Sequence, residues 1–167
     1  MKGVVIDIET TGFAINDTII SLSMLKFNST IIESIYHTLI NPGRHIPIDI
    51  TKLTGITNEM IIGYPLFGGI KEEFIQFTQG YNLFAYNAPF EAKFLSSLLG
   101  KNIEANDVLV AVKKNIKLDK YKLSDVANHF GFKMRDIKIA HSSIEDALVC
   151  YRIILALVNM GYQWGFI

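Results

Sequence analysis

The chain opens on an apolar run, residues 2–8, rich in β-branched side chains and predicting a short strand. Residues 19–27 alternate, with Ile20, Leu22 and Met24 on one face, as in a strand that turns one side to a core. A third such segment, residues 30–40, follows across a tight Asn28-Ser29 link, so the three predict a meander. Asn41-Pro42-Gly43 is a turn signal, and residues 48–62 read as short helical turns broken at Gly55. After Gly63-Tyr64-Pro65 the spacing becomes helical, with Leu66, Ile70, Phe74 and Phe77 on one stripe. Residues 82–86 predict a brief strand. Asn87-Ala88-Pro89 then starts a helix, with Asn87 as its cap and Pro89 in the first turn. Further helices are predicted over residues 107–115 and 122–130. The last begins at Ser142, where Ser142-Ser143-Ile144-Glu145 fits a capping box, and runs to about residue 159. A meander followed by alternating helices and strands predicts an α/β domain with a mixed sheet.

Composition narrows the class. At 167 residues a single domain, 1–167, is expected, large enough to fold without disulfides. A hydrophobic share of 50% against 19% charged excludes disorder. The single cysteine, Cys150, excludes an intramolecular disulfide and fits a reducing compartment. The longest apolar stretch, around residues 149–158, is interrupted by Arg152 and falls short of the run of about 20 that a membrane helix requires. Asp7 breaks the apolar core that a signal peptide would need. A soluble, cytoplasmic protein without a membrane partner is expected. Net charge is zero, yet residues 101–138 carry nine bases against five acids, leaving the remainder acidic. Such a division can guide a polyanion toward a cation-binding site, although on charge alone a solvated helical face is the favoured explanation.

The acids fall in an ordered way. Asp7 and Glu9 are two apart on a strand, so both point to one face at its carboxyl end, where open α/β sheets bind ligands. Glu91 shares a helical stripe with Leu95 and Leu98, a costly place for a carboxylate without a compensating cation or donor. His141 precedes the last helix and Asp146 lies in its first turn. Taken singly, each has a plain structural reading: solvated strand-end residues, a rim glutamate, a core histidine, an acid favoured by the helix dipole.

Together they are specific. Asp7-Ile8-Glu9-Thr10-Thr11-Gly12, then Asn87-Ala88-Pro89-Phe90-Glu91-Ala92-Lys93-Phe94-Leu95, then His141-Ser142-Ser143-Ile144-Glu145-Asp146-Ala147 resemble the three motifs of the DEDDh 3′–5′ exonucleases. That family includes the epsilon proofreading subunit of DNA polymerase III. Leu53-Thr54-Gly55-Ile56-Thr57 is similar to its threonine-glycine loop, Asp107-Val108-Leu109 to its Asp-Thr-Leu segment, and residues 123–132 to the helix before the third motif. The His-x4-Asp spacing matches the histidine branch. Two positions differ: Glu91 stands where the family usually has aspartate, and Tyr86 where it often has histidine.

The resemblance implies a ribonuclease H-like mixed sheet, an antiparallel meander followed by parallel strands, flanked by helices. It implies two divalent metal ions, Mg²⁺ or Mn²⁺, held by Asp7, Glu9, Glu91 and Asp146, with Asp7 bridging them and Glu91 acting on the second. His141 would be the general base. Thr10, Thr11, Gly12, Tyr86, Asn87 and Phe90 would bind substrate. The expected activity is hydrolysis at single-stranded DNA or RNA 3′ ends, releasing nucleoside 5′-monophosphates. Two competing readings stand beside it. One is a nucleic-acid-binding module that keeps the fold and has lost turnover through the longer Glu91 side chain. The other is a proofreading subunit docked to a polymerase or another replication protein. The chain ends about twenty residues after Asp146 without a tail like the epsilon subunit's. A standalone enzyme, or a partner that grips the domain itself, is therefore expected.

Overall fold

The computed structural model describes residues 1–14, 16–132 and 143–165. Three long strands form the meander: β1 (Lys2–Thr10), β2 (Ile19–Asn28) and β3 (Ile31–Leu39). Ser29, at φ 54°, makes the tight β2–β3 link, and its N–H donates to the Met1 carbonyl at 2.7 Å. Two short strands follow, β4 (Asn82–Ala85) and β5 (Asn106–Asp107), giving the sheet order β3-β2-β1-β4-β5. The β1–β2 and β2–β3 pairs are antiparallel, and β1–β4 and β4–β5 are parallel. This is the mixed sheet the pattern predicts. β5, only two residues long, carries too little pattern to be seen in the sequence.

Helices cover both faces. On one side α4 (Val108–Asn115), α5 (Leu123–His129) and α6 (Ser143–Asn159) pack over Val5, Leu25 and Phe27. On the other, α2 (Lys71–Thr78) and α3 (Ala88–Leu99) cover Val4, Ile6, Ile8, Leu22 and Met24. Gly3 is required between them: a Cβ there would lie 2.5 Å from the Phe27 ring and 2.6 Å from that of Phe84. A third cluster, Ile20, Ile46, Ile56 and Ile61, lies beside α1 (Ile48–Thr54), which ends at Gly55 with φ 71°. That glycine supplies the left-handed cap that the break in the pattern predicts.

Two local expectations change, and a third is not tested. Leu66 is exposed and Phe67 is buried in its place, because residues 67–69 form a 3-10 turn in which Phe67 and Ile70 share a side. Asn87 occupies the cap position of α3 but makes no side-chain capping bond. The Ser142 capping box lies outside the described residues; α6 is described from Ser143. Asp107 does cap α4, accepting from Val110 N–H at 2.9 Å.

Candidate active site

Asp7 and Glu9 follow Gly3 and Val5 on one face of β1, so that face changes from apolar to acidic toward the carboxyl end of the strand. Their register partners on β2 are Ser23 and Ser21. A bulge between Glu9 and Thr10 then ends the regular pairing, as often happens beside functional sites. From the opposite direction α6 lays Ser143, Ala147 and Cys150 on the sheet, a run of small buried residues that permits close approach. Asp146 sits on that first turn, and Glu91 enters from the first turn of α3.

The electrostatics tie the four acids together. Burial pushes Asp7 well above the ordinary carboxylate range, and the charges of Asp146, Glu91 and Glu9 add to it. Burial and Asp146 push Glu9 up to about 7. Glu91 is 6% exposed and is pushed up to about 8 by burial, with Asp107 and Glu9 adding and its own backbone N–H partly offsetting. Asp146 is raised by burial and by Glu145. Asp7, Glu9 and Asp146 are half-buried, so water reaches each of them. Among the described residues the buried Glu91 Oε2 has no hydrogen-bond partner. The stripe reading of Glu91 therefore holds, with Leu95 buried one turn on.

Beside the acids, residues 10–14 and 16–18 are braced to one another. Thr10 Oγ1 donates to the Gly12 carbonyl at 2.6 Å, and Thr11 Oγ1 donates to Asp17 Oδ1 at 2.9 Å while accepting from Thr18 N–H. Asp17 Oδ2 accepts from Ala14 N–H at 2.8 Å. A Cβ on Gly12 would stand 2.5 Å from Asp17 Oδ2, so a larger residue there would displace the carboxylate that braces the loop. Thr10 and Thr11 are thus spent on holding the loop, and the Thr11 N–H is itself bonded to the Thr18 carbonyl at 2.9 Å. Lys93 donates to the Phe13 carbonyl at 2.8 Å, bringing the loop against α3. Phe13 is 71% exposed, with its ring 6.0 Å from that of Phe90.

Of the other residues singled out in the sequence, Asn87 is exposed with an uncommitted side-chain cap position. The Tyr86 hydroxyl donates to the Tyr121 carbonyl at 2.7 Å, which makes it a brace between segments. His141 lies outside the described residues. Sequence reasoning missed Phe13, Asp17 and Lys93; the visible signal was an aromatic directly after Thr10-Thr11-Gly12. It also missed Ser21, Ser23 and Ser143, treated below.

The donor set fits divalent ions of the Mg²⁺ or Mn²⁺ type, which take carboxylate oxygens, and the unpartnered Glu91 oxygen supplies a vacant ligand atom. Among the described residues no three His, Cys, Asp or Glu side chains are yet drawn into a chelating cluster. Like charges without a counter-ion repel, and an ion would supply the missing attraction.

The Exonuclease family model matches residues 4–154. The DNA polymerase III subunit epsilon of Aquifex aeolicus is 32% identical over 172 residues, covering 97% of this chain and 83% of that protein. A PolC-type DNA polymerase III from Caldanaerobacter subterraneus is 35% identical over 170 residues, and the chain spans 12% of its length. Among solved structures, the nuclease domain of 3′hExo, described as a DEDDh family member bound to rAMP, superposes with a TM-score of 0.83 at 16% identity, covering 99% of this chain and 96% of that one. The ribonuclease H-like arrangement is therefore present, and the matched span includes Asp7, Glu9, Glu91 and Asp146. The chain belongs to the Exonuclease family and is a 3′–5′ exonuclease.

Proposed function

We propose that the protein, acting as one domain over residues 1–167, removes nucleotides from single-stranded 3′ ends and releases nucleoside 5′-monophosphates. Asp7, Glu9, Glu91 and Asp146 would hold two divalent ions, Mg²⁺ or Mn²⁺. The observation that carries this reading is the convergence of four carboxylates from three elements: all four are raised by burial, Asp7 also by the charges of Asp146, Glu91 and Glu9, Glu9 by that of Asp146, and Glu91 by those of Asp107 and Glu9. Asp7 is coupled to the other three, as befits a ligand shared between two ions. When bound, such ions would supply activation of a water and stabilisation of the leaving sugar oxygen.

The chain's own groups do the rest. The exposed Phe13 ring, backed by Phe90, offers a face on which a terminal base can stack. The braced backbone of Thr10, Thr11 and Gly12 faces the terminal nucleotide, and Asn87 and Tyr86 border it. His141 takes the proton of the attacking water, a task suited to an imidazole near neutral pH. The polymerase III names of the relatives favour DNA as substrate and a replicative polymerase as partner.

Matched 5′-labelled DNA and RNA oligonucleotides with Mg²⁺ or Mn²⁺ test the reading. Products should shorten from the 3′ end and mononucleotides should accumulate, with Asp7→Asn inactive. Cleavage of a closed circular single strand, or wild type inert with both ions, would overturn it.

A further inference from the structure

Three buried hydroxyls meet where the first turn of α6 touches β2. Ser143 Oγ lies 3.0 Å from Ser21 Oγ and 2.6 Å from Ser23 Oγ. All three serines are at most 1% exposed. Ser23 Oγ is also 2.9 Å from Nδ1 of His37 on β3, whose ring reaches the surface. Elsewhere the contact between α6 and the sheet is apolar, with Val149, Ile153, Ile154 and Leu157 in the cluster that holds Val5, Leu25 and Phe27.

Hydrogen counting gives the chain a direction. Each hydroxyl has one hydrogen and there are three bonds. If His37 Nδ1 carries no hydrogen, Ser23 donates to it, Ser143 to Ser23 and Ser21 to Ser143, and every hydrogen is used. Burial lowers the His37 pKa, which favours that neutral ring. Reversing the chain would send the Ser21 hydrogen out of the network.

We infer that Ser21, Ser23 and Ser143, anchored by His37, are positioning residues that fix the rotation and register of the first turn of α6 and so aim Asp146 at Asp7 and Glu9. Apolar contact is non-directional, and the small side chains of Ser143, Ala147 and Cys150 would let α6 slide or turn on the sheet. Three directed bonds at one end remove that freedom. Ser143 and Asp146 are three residues apart, about 4.5 Å along the axis, so what holds one sets the other. A misplacement of about 1 Å can cost about 10²-fold in rate, and Mg²⁺ tolerates irregular ligand geometry badly.

This inference rests on the metal-pocket reading above. Its test compares the full chain as wild type, Ser143→Ala, the double variant Ser21→Ala/Ser23→Ala, and Ile153→Val as a control for ordinary loss of α6 packing. Four quantities are measured: kcat and KM on a single-stranded oligonucleotide, Mn²⁺ affinity by electron paramagnetic resonance, and the metal-free melting temperature. Ser143→Ala and the double variant should lose about 10- to 100-fold in Mn²⁺ affinity, as when a ligand's supporting bonds are removed. Their kcat should fall by a similar factor, with KM within about twofold of wild type. Ile153→Val should lower the melting temperature and keep kcat. Should Ser143→Ala fail to fold, the double variant decides. Wild-type kcat and Mn²⁺ affinity in the serine variants would overturn the inference, as would a kcat loss in Ile153→Val equal to theirs. A wild type that binds no Mn²⁺ would instead overturn the pocket itself, and the inference with it.

Discussion

One face of the sheet, read along β1 and β2, has two ends of opposite character. At one end Gly3 and Val5 face Phe27 and Leu25, and the Phe27 ring lies 5.7 Å from Phe84 and 5.0 Å from Tyr151. Two residues further on, Asp7 and Glu9 face Ser23 and Ser21. The same helix, α6, spans both. Its apolar half is held by burial, which is strong and indifferent to angle. Its first turn is held by directed bonds next to carboxylates that disfavour one another. Stability resides at one end, and the proposed cation site lies at the other, at the expense of stability.

The sharpest way to break this division is Asp7→Asn. Loss of the shared carboxylate should reduce turnover by about 10³-fold or more, several kcal/mol of transition-state stabilisation. At pH 8 without metal the variant should melt higher than wild type, because one crowded charge is gone. Phe27→Ala attacks the opposite end. It should cost about 3–5 kcal/mol in urea unfolding, while Mn²⁺ affinity of the folded fraction stays at the wild-type level. Equal damage to metal binding would mean that the two ends are not separable.

The pH dependence of stability follows from the sign of the shifts. Glu9 and Glu91 titrate near 7 and 8 in the folded protein against 4.5 ordinarily, so the folded state holds protons that the unfolded chain has released. Metal-free stability should therefore be greatest at acidic pH within this window and decline as pH rises from about 4.5 to 8. Glu91→Gln should flatten the upper part of that decline, and saturating Mn²⁺ should reverse it, since the ion binds the ionised acids. A flat wild-type melting profile between pH 5 and 8 would refute the crowding. The smallest effect is expected for Phe13→Ala, which should weaken oligonucleotide binding by about 1–3 kcal/mol. Its melting temperature should not move, because the ring packs against little besides Phe90.

The meander was legible because it rests on a local period, as were the shared face of Asp7 and Glu9 on β1 and the buried stripe position of Glu91 on α3; the parallel return to β4 came from the family resemblance alone. The loop brace was not legible, since Asp17 acts through bonds to Thr11 and Ala14 that no periodicity announces. Ser21 and Ser23 were hidden for a different reason. Alternation placed Ile20, Leu22 and Met24 on one face and gave no role to the other, yet α6 covers that side and both serines are buried. Polarity in a strand marks one exposed face only when nothing packs there. Leu66 was misassigned because an i, i+4 stripe was extended through a segment that folds with period three.

Cys150 lies among these elements, buried on α6 beneath the acidic end. Burial raises its thiol well above the ordinary range, and Asp7, Glu91 and Asp146 raise it further. The thiolate that reacts with alkylating reagents is thus suppressed while α6 is docked. When the helix lifts, the thiol gains both access and an ordinary acidity. The chain's only cysteine is therefore a built-in clock. Its alkylation rate under native conditions reports how often the catalytic end of α6 opens, and an ion that draws the carboxylates together should slow that clock.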